Sequence, residues 1–260
     1  MKPILGTQLN RGHRLANGLV GCWLLNEGGG GVVADLSGNV NSLALTGGSS
    51  WQAGDVVCDG LDGILLKSGF NFSRGAGDST FELIVNLESY GEADNGYMMT
   101  FNNGTMLVCQ PTGGIRYYRQ YSITDGTCRY TSDLGLIGKW SHVVVVDKTG
   151  ELIDLYIDGK LISSLAWLTP PDGTKVDLDG TSFGLGSNTT VSRAMDGSIR
   201  KSAVYNRALS PGEIQDLYRD PYQMFKADPL ALWVAATSGA AGSTFNPAWA
   251  RHCNNIIGAA

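Results

Sequence analysis

The 260-residue sequence has few charged residues and no long apolar run, and each shortage excludes a class of function. Asp, Glu, Lys and Arg make up 17% of the chain, and the formal net charge is −5. Nucleic-acid binding depends on Lys and Arg contacts to phosphates, so this acidic balance gives it no support. No apolar run approaches the ~18 residues of a membrane-spanning helix. We therefore expect neither nucleic acid nor a membrane as a partner.

Paired or motif-forming cysteines are also lacking. The five cysteines are odd in number and widely spaced, and no C-x-x-C occurs among Cys22, Cys58, Cys109, Cys128 and Cys253. Such cysteines behave as small apolar side chains, so we expect free thiols in or near the core. The N-terminal residues lack the apolar segment of a secretory signal. These observations together predict folding in a reducing cytoplasm.

Glycine, by contrast, is abundant, and it accompanies strong strand patterns. The 36 glycines are roughly twice the usual ~7% of a globular chain, which suits many short strands joined by tight turns. The clearest strands follow one another in the middle of the chain. Trp140–Asp147 holds four consecutive valines, Glu151–Asp158 alternates apolar and polar residues, and Lys160–Leu165 returns after the hairpin signal Asp158-Gly159.

One short helix is predicted near the end of the patterned region. Ser210 and Glu213 form a capping box, and Pro211 occupies the first helical position. Ile214, Leu217 and Tyr218 then share one helical face. From residue 221 the chain is rich in Ala and Gly, a composition that does not build a core of its own.

Four motifs carry a family resemblance. They are G-L-V-G-x-W-x-x-x-E-G-x-G from Gly18, W-x-H-V-x-V from Trp140, I-x-L-Y-I-D-G-K-L from Ile153 and Y-N-R-A-L-S-x-x-E-I-x-x-L-Y from Tyr205. Together they resemble laminin-G-like jellyroll domains of the concanavalin A-like lectin/glucanase group. The resemblance implies an all-β, two-sheet antiparallel jellyroll β-sandwich over residues 18–222. An N-terminal arm (1–17) and an extended C-terminal arm (223–260) would flank it.

The resemblance also implies a possible calcium site. Related domains hold Ca²⁺ through oxygen ligands, and the matching positions here are Glu27, Asp35 and Asn39. The acidic pair that the family places in the penultimate strand is replaced by Arg200 and Lys201, which opposes a cation. The alternative is that Asp35 and Asn39 only cap their turn. His142, at the family's W-x-H position, is expected to be a structural imidazole.

Catalysis and sugar binding leave different signs in the sequence. Glucanases of this fold use carboxylates spaced E-x-D-x-E, a spacing that points all three side chains into one cleft. That pattern does not occur in this sequence, and Glu151 and Asp154 fall on opposite faces of their strand. We therefore expect a non-enzymatic protein. A sugar-binding surface needs exposed aromatic rings beside polar groups, and Tyr117, Arg119 and Tyr121 are the best candidates. Ordinary cross-strand packing is the alternative for this cluster.

Two functions remain open. The segments R-G-H-x-L-A-x-G-L-V-G-C-W-L-x-N-E from Arg11 and L-Y-R-D-P-Y-Q-M-F from Leu217 resemble laminin-G-like proteins of tailed bacteriophages and prophages. That resemblance implies a structural virion protein, a capsid decoration or head/tail accessory protein assembled in the host cytoplasm. It would form a homo-oligomer, with a trimer favoured, and dock on other virion proteins through its arms, with Arg11, His13, Trp233, Phe245 and Trp249 as contacts. The alternative is a carbohydrate-binding domain that recognises cell-surface glycans.

Overall fold

The fold is described for most of the chain outside its C-terminal segment. A computed structural model places residues 2–72, 77–101, 104–150, 152–190 and 192–225. Trp233, Phe245 and Trp249 of the predicted C-terminal arm lie outside the described residues, as does Cys253. The other four cysteines are unpaired and buried. The prediction of free thiols is therefore confirmed for them.

Seventeen strands and one α-helix make up the regular structure of the described residues. The strands are β1 (Leu19–Trp23), β2 (Val32–Val33), β3 (Leu43–Thr46), β4 (Ser50–Gln52), β5 (Asp55–Asp59), β6 (Ile64–Lys67), β7 (Ser79–Leu87), β8 (Tyr97–Phe101), β9 (Thr105–Cys109), β10 (Ile115–Arg119), β11 (Gly126–Tyr130), β12 (Trp140–Asp147), β13 (Ile153–Ile157), β14 (Lys160–Leu165), β15 (Trp167–Thr169), β16 (Phe183–Leu185) and β17 (Asp196–Tyr205). The helix α1 is Pro211–Arg219, and short 3-10 segments occur at Arg14–Ala16, Glu92–Asp94 and Gln223–Phe225.

The strands form two antiparallel sheets that pack as a sandwich, which confirms the predicted fold class. The first sheet has the order β14-β13-β12-β7-β17-β5-β4, with β1 also paired to β17. The second has the order β15-β11-β10-β9-β8-β16-β6-β3-β2. The three central strands predicted from the valine-rich stretch are β12, β13 and β14. Asp158 and Gly159 both have positive φ, as the predicted hairpin turn between β13 and β14 requires.

The main core lies between the two sheets and is centred on aromatic rings. Trp23 of β1 stacks on Phe183 of β16, with ring centroids 5.1 Å apart. Phe70 packs 4.8 Å from Phe183 and meets Phe101 edge-on at 5.3 Å. Each ring buries a large apolar area, so this group links strands of both sheets through the centre of the sandwich.

A second apolar cluster covers the outer face of the first sheet. Helix α1 contributes Ile214 and Leu217, the 3-10 segment that follows contributes Met224 and Phe225, and the N-terminal segment contributes Leu15. All five side chains are buried. Leu15 of the predicted N-terminal arm and Met224 and Phe225 of the predicted C-terminal arm therefore pack on the sandwich. The C-terminal arm from residue 226 lies outside the described residues and stays a prediction.

Burial of both faces explains the valine run of β12. Val143 and Val145 point into the main core, whereas Val144 and Val146 point into the outer cluster. Helix α1 begins as predicted, with Ser210 and Glu213 exchanging both hydrogen bonds of a capping box. None of the helices in the described part of the chain is long and apolar enough to cross a lipid bilayer.

A buried ion cluster lies beneath α1 on the outer face of the first sheet. Lys201 of β17, with 0% of its surface exposed, donates from Nζ to Oε1 of Glu82 on β7 at 2.6 Å. His142 Nε2 lies 3.1 Å from the same oxygen. Burial alone would raise the pKa of Glu82, but the Lys201 charge and the His142 hydrogen bond outweigh it and lower the pKa to about 2. His142 is thus structural, as expected from the sequence.

The Glu82 cluster predicts an acid-sensitive fold. Because the pKa of Glu82 falls from 4.5 to about 2 on folding, its stabilising contribution is complete above pH 4.5 and is lost as the pH falls towards 2. Glu82→Gln should remove this part of the pH dependence. It should also cost about 3–5 kcal/mol at pH 7, because Lys201 stays buried without a counterion. Urea unfolding between pH 2 and 7 measures both effects. Exposed Glu88→Gln is the control, and an unchanged acid slope in Glu82→Gln would contradict the assignment.

Candidate functional site

An open groove of about 610 Å³ lies on the outer face of the first sheet, at its β13–β14 edge. We call it the Asp154 groove. It is lined by residues from the β12–β13 turn, β13, β14, β15 and the start of α1, namely Lys148, Gly150, Leu152, Asp154, Tyr156, Leu161, Ser164, Trp167 and Pro211. Its lining combines one carboxylate, one ammonium group, the partly exposed indole of Trp167 and two exposed leucines, whereas Tyr156 is 4% exposed. These are the groups that a polar ligand with an apolar face would need.

Strand alternation places the first two groups of the groove. Ile153 and Leu155 of β13 point into the main core, so Asp154 and Tyr156 point outward. In the β13–β14 ladder, Asp154 lies opposite Ser164 and Tyr156 lies opposite Leu161. Opposite residues in an antiparallel pair share a face. The ladder register therefore brings a carboxylate, a hydroxyl, a phenol and an apolar side chain together.

A β-bulge in β14 makes this arrangement possible. Leu161 and Ser164 are three positions apart, which would put them on opposite faces of a regular strand. The register shifts between the pairs Leu155–Ser163 and Tyr156–Leu161, leaving Ile162 as the extra residue of β14. Leu161 and Ser164 both reach the groove as a result.

Asp154 is only partly engaged by the protein. Its Oδ1 accepts a hydrogen bond from Ser164 Oγ at 2.5 Å, and Lys148 Nζ lies 2.9 Å from Oδ2. A carboxylate offers about four acceptor positions, so roughly two remain for a ligand. About 12% of the Asp154 side chain is exposed, and it faces the groove. A ligand hydroxyl can thus reach a charged acceptor that the fold holds in place.

Trp167 forms one end of the groove, and its position depends on Gly126. A Cβ added to Gly126 would lie 2.5 Å from the indole ring, so the absence of a side chain there leaves room for Trp167 against β11. Tyr121 meets the same indole edge-on, with ring centroids 6.4 Å apart. Trp167 is held from two sides and remains partly exposed.

The predicted sugar-binding cluster of Tyr117, Arg119 and Tyr121 is corrected by the structure. Tyr117 and Arg119 are each 1% exposed because both point between the sheets, where they bind Asp147 of β12. Tyr117 donates its hydroxyl to Asp147 at 3.0 Å, and Arg119 Nε lies 3.1 Å from the same carboxylate. Lys175 completes the cluster at 2.7 Å. These residues link the two sheets, and only Tyr121 lies near a candidate surface, through its contact with Trp167.

The Asp35 position of the expected calcium site is occupied by internal hydrogen bonds. Its Oδ1 accepts the backbone N–H groups of Cys22 and Ser37. Its Oδ2 accepts Ser37 Oγ and the backbone N–H of Asn41. All four acceptor positions are used, so Asp35 has none left for a metal ion.

The other two expected ligands are engaged less completely, since Glu27 Oε2 is buried without a hydrogen-bond partner among the described residues and the Asn39 bonds are made by its amide nitrogen, which does not bind a metal ion. Glu27 Oε1 accepts the Ala34 N–H at 2.8 Å, and Asn39 Nδ2 donates to the carbonyl oxygens of Leu19 and Val20. In the described ranges, no three His, Cys, Asp or Glu side chains are grouped to hold a metal ion. Asp35, with its acceptors filled, therefore does not fit the expected calcium site, and the hydrogen bonds of Glu27, Asp35 and Asn39 stabilise the loop before β3.

The two cations that replace the family's acidic pair have partners of their own. Lys201 belongs to the Glu82 cluster. Arg200 stacks over the Trp140 ring at 3.6 Å and binds Asp55 through Nε and Nη2. Both side chains stabilise the first sheet, where the family places ligands for a cation.

The predicted docking residues of the N-terminal segment bind their own domain. Arg11 Nη1 donates to the carbonyl oxygen of Ser37 at 3.1 Å, and His13 Nδ1 accepts the backbone N–H of Leu15. Docking of Arg11 and His13 on another protein stays a prediction. Any such contact would have to compete with these bonds.

Several groove residues were not predicted from the sequence. The alternation of β13 places Asp154 and Tyr156 on one face without marking them as a site, and the bulge hides the common face of Leu161 and Ser164. The sequence shows Trp167 two positions after the predicted strand Lys160–Leu165. Its contact with Gly126 joins distant parts of the chain and cannot be predicted from a local pattern.

The fold and groove define a lectin-like β-sandwich, and comparison with known families agrees. A model of the concanavalin A-like lectin/glucanases superfamily (Laminin_G_3) matches residues 59–215, more than half of the chain. The chain belongs to this family. No curated protein sequence matches it.

Solved structures with the same fold include botulinum neurotoxin receptor-binding domains. The domain of the C/D mosaic serotype matches with a TM-score of 0.60 and 16% identity, over 79% of this chain and 52% of that one. The serotype D ligand-binding domain in complex with N-acetylneuraminic acid matches with a TM-score of 0.60 and 14% identity, over 80% and 52%. The serotype DC binding domain in complex with rat synaptotagmin II has a TM-score of 0.59 and 13% identity, over 78% and 51%. The chain spans about half the length of these structures, and the likeness shows the fold.

The Gly126–Trp167 contact gives a direct test of the groove's construction. Gly126→Ala should displace the indole, because the new Cβ overlaps the Trp167 ring. We expect the Trp167 indole N–H resonance to shift strongly, while that of Trp23, bound to the Asn41 carbonyl in the core, stays in place. Gly29→Ala, with no atom within 4 Å of the added Cβ, is the matched control. Equal effects of the two substitutions on Trp167 would contradict the packing described.

Proposed function

We propose that the protein is a non-enzymatic carbohydrate-binding module whose ligand occupies the Asp154 groove. The observation that carries this proposal is a partly engaged carboxylate, Asp154, at the wall of an open groove whose accessible surface includes Trp167 and the exposed Leu152 and Leu161. Sugar rings combine an apolar C–H face with a rim of hydroxyl groups. Such a ligand packs its face on an aromatic or aliphatic surface and donates its hydroxyls to charged acceptors.

The solved relatives support the proposal by analogy. One neighbouring domain was crystallised with N-acetylneuraminic acid and another with rat synaptotagmin II. Those ligands belong to those proteins, and a shared fold does not transfer a binding site. The analogy supports a recognition function on this type of sandwich, whereas the location in the Asp154 groove rests on the contacts of this chain.

The groove's chemistry supports binding without catalysis. Among the described residues that line it, Asp154 is the one carboxylate. Glycoside hydrolysis by the usual routes uses two carboxyl groups, about 5–5.5 Å apart for retention or about 6.5–9.5 Å apart for inversion. A single carboxylate engaged by a serine and a lysine suits an acceptor of hydrogen bonds.

The test is a glycan array followed by calorimetric titration of the hits. Wild-type protein should bind a restricted set of glycans, and Trp167→Ala should weaken binding at least tenfold by removing the stacking surface. Trp51→Ala is the matched control, since Trp51 is a half-buried tryptophan on β4 and lies outside the groove. Binding that survives Trp167→Ala unchanged would place the site elsewhere. An array without hits would leave the proposal without support.

A structural virion role is the second candidate. It is supported by the resemblance of the segments starting at Arg11 and Leu217 to proteins of tailed bacteriophages. On this proposal the protein is a capsid decoration or head/tail accessory protein, located in the virion and favouring a trimer. Because residues 2–17 pack on their own domain, docking would depend mainly on the C-terminal residues, which lie outside the described part of the chain.

The virion role can be tested with purified particles. The full chain should co-sediment with assembled capsids or tails, and a chain lacking Gly239 to Ala260 should lose most of this binding. A chain carrying Trp167→Ala serves as the control for glycan-mediated attachment. Equal co-sedimentation of the truncated and full chains would show that the C-terminal residues have no docking role.

A further inference from the structure

We infer that the Asp154 groove selects neutral pyranosides and discriminates against sugars that carry a carboxylate. The inference rests on the proposed function and specifies the ligand class of the same site. It is motivated by the charge and the free hydrogen-bonding capacity of the described groove residues. It also separates this chain from the structural neighbour that was crystallised with the acidic sugar N-acetylneuraminic acid.

The two charged side chains among the described groove residues are paired with each other. Asp154 and Lys148 are the two residues with opposite full charges among the described lining residues, and their charged atoms lie 2.9 Å apart. The ammonium group is therefore committed to Asp154. A sugar carboxylate entering the groove would meet a fixed negative charge without a cation reserved for it. Like charges at such short range repel, and the partial burial of Asp154 reduces solvent screening.

The free positions of Asp154 accept hydrogen bonds and cannot donate them. As an ionised carboxylate it has about four acceptor sites, of which Ser164 and Lys148 use two. Two neighbouring hydroxyl groups of a pyranose can donate to the remaining sites in a bidentate arrangement. Hydroxyl groups are donors, whereas a sugar carboxylate offers acceptors alone. An acidic pyranoside keeps its ring hydroxyls, so the charge of its carboxylate near Asp154 is what separates the two ligand classes.

The rest of the groove is apolar and accessible. Leu152 is 44% exposed and Leu161 is 52% exposed, and both line the groove with Trp167. They offer a surface for the C–H face of a sugar ring whose hydroxyls point to Asp154. A neutral pyranoside can contact both the leucines and Asp154. It carries no charged group whose desolvation beside the leucines would cost free energy.

Matched pairs of sugars test the inference. Methyl β-glucoside and methyl β-glucuronide differ by a hydroxymethyl and a carboxylate group, as do methyl β-galactoside and methyl β-galacturonide. Titration calorimetry with the full chain should show the neutral member of a pair binding at least tenfold more tightly. The ratio should shrink at high salt, because screening weakens the repulsion.

The variant Asp154→Asn supplies the decisive comparison. The amide keeps an acceptor for Ser164 but loses the negative charge, so affinity for the neutral sugar should fall about tenfold and the neutral-to-acidic ratio should approach one. Asp133→Asn, at an exposed loop carboxylate that accepts the Gly135 N–H, is the control and should leave both values unchanged. Circular dichroism and thermal unfolding verify that each variant is folded.

The possible outcomes separate the two proposals. If acidic sugars bound as tightly as neutral ones and Trp167→Ala abolished this binding, the inferred ligand class would be wrong. The groove would still be a sugar-binding site. An unchanged neutral-to-acidic ratio in Asp154→Asn would also overturn the inferred ligand class. If neither the array nor the matched pairs gave any binding, the carbohydrate-binding function itself would fail, and the ligand class with it.

Discussion

Burial of both faces of the first sheet is the constraint on which the rest of the structure depends. In an ordinary antiparallel sandwich the outer face of each sheet meets water, and its strands alternate apolar with polar residues. Here the outer face of β12 carries Val144 and Val146, so it needs a cover. Helix α1 and the N-terminal segment provide that cover. Polar groups trapped beneath them, such as Glu82 and Lys201, must then pair with each other.

The cover reaches Tyr156 of β13, which is 4% exposed, and the Asp154 groove begins beside it. Asp154 and Tyr156 occupy outward positions equivalent to those of Val146 and Val144 on the neighbouring strand. The same face of the sheet is therefore apolar and covered over β12 and opens to the groove at Asp154. Among the described residues that line the groove, Tyr156 of the outer cluster and Pro211, the first residue of α1, connect it to the cover.

Three aspartates illustrate how environment decides the role of a carboxylate. Asp147 lies between the sheets and binds Tyr117, Arg119 and Lys175, so it joins the two layers. Asp35 uses all its acceptor positions within its own loop and on the neighbouring strand β1. Asp154 keeps acceptor capacity towards an open surface, and it alone among these three is suited to a ligand. The three roles could not be predicted from residue type. They differ in how many hydrogen-bond and ion-pair partners the fold places around each aspartate.

Local patterns in the sequence predicted local structure well. The valine run of β12, the hairpin turn at Asp158 and the capping box at Ser210 each depend on neighbouring residues, and all were predictable. The cover over the first sheet, the pairing of Lys201 with Glu82 and the bulge at Ile162 depend on contacts between distant segments. Tyr117 and Arg119 were assigned to a surface because alternation identifies two faces without telling which one is buried. The groove was not predicted from the sequence, because Leu161 and Ser164 share a face only through the bulge and Trp167 depends on a long-range contact with Gly126.

The bulge at Ile162 has a consequence for the solution behaviour of the protein. Strand β14 is the last strand of the first sheet on its side, so it presents a row of backbone donors and acceptors without a neighbouring strand among the described residues. Regular rows of this kind recruit strands from other molecules and start aggregation. The extra residue interrupts the regular spacing of that row and twists the strand. The irregularity that brings Leu161 and Ser164 to one face thus also makes the edge a poor template for another chain.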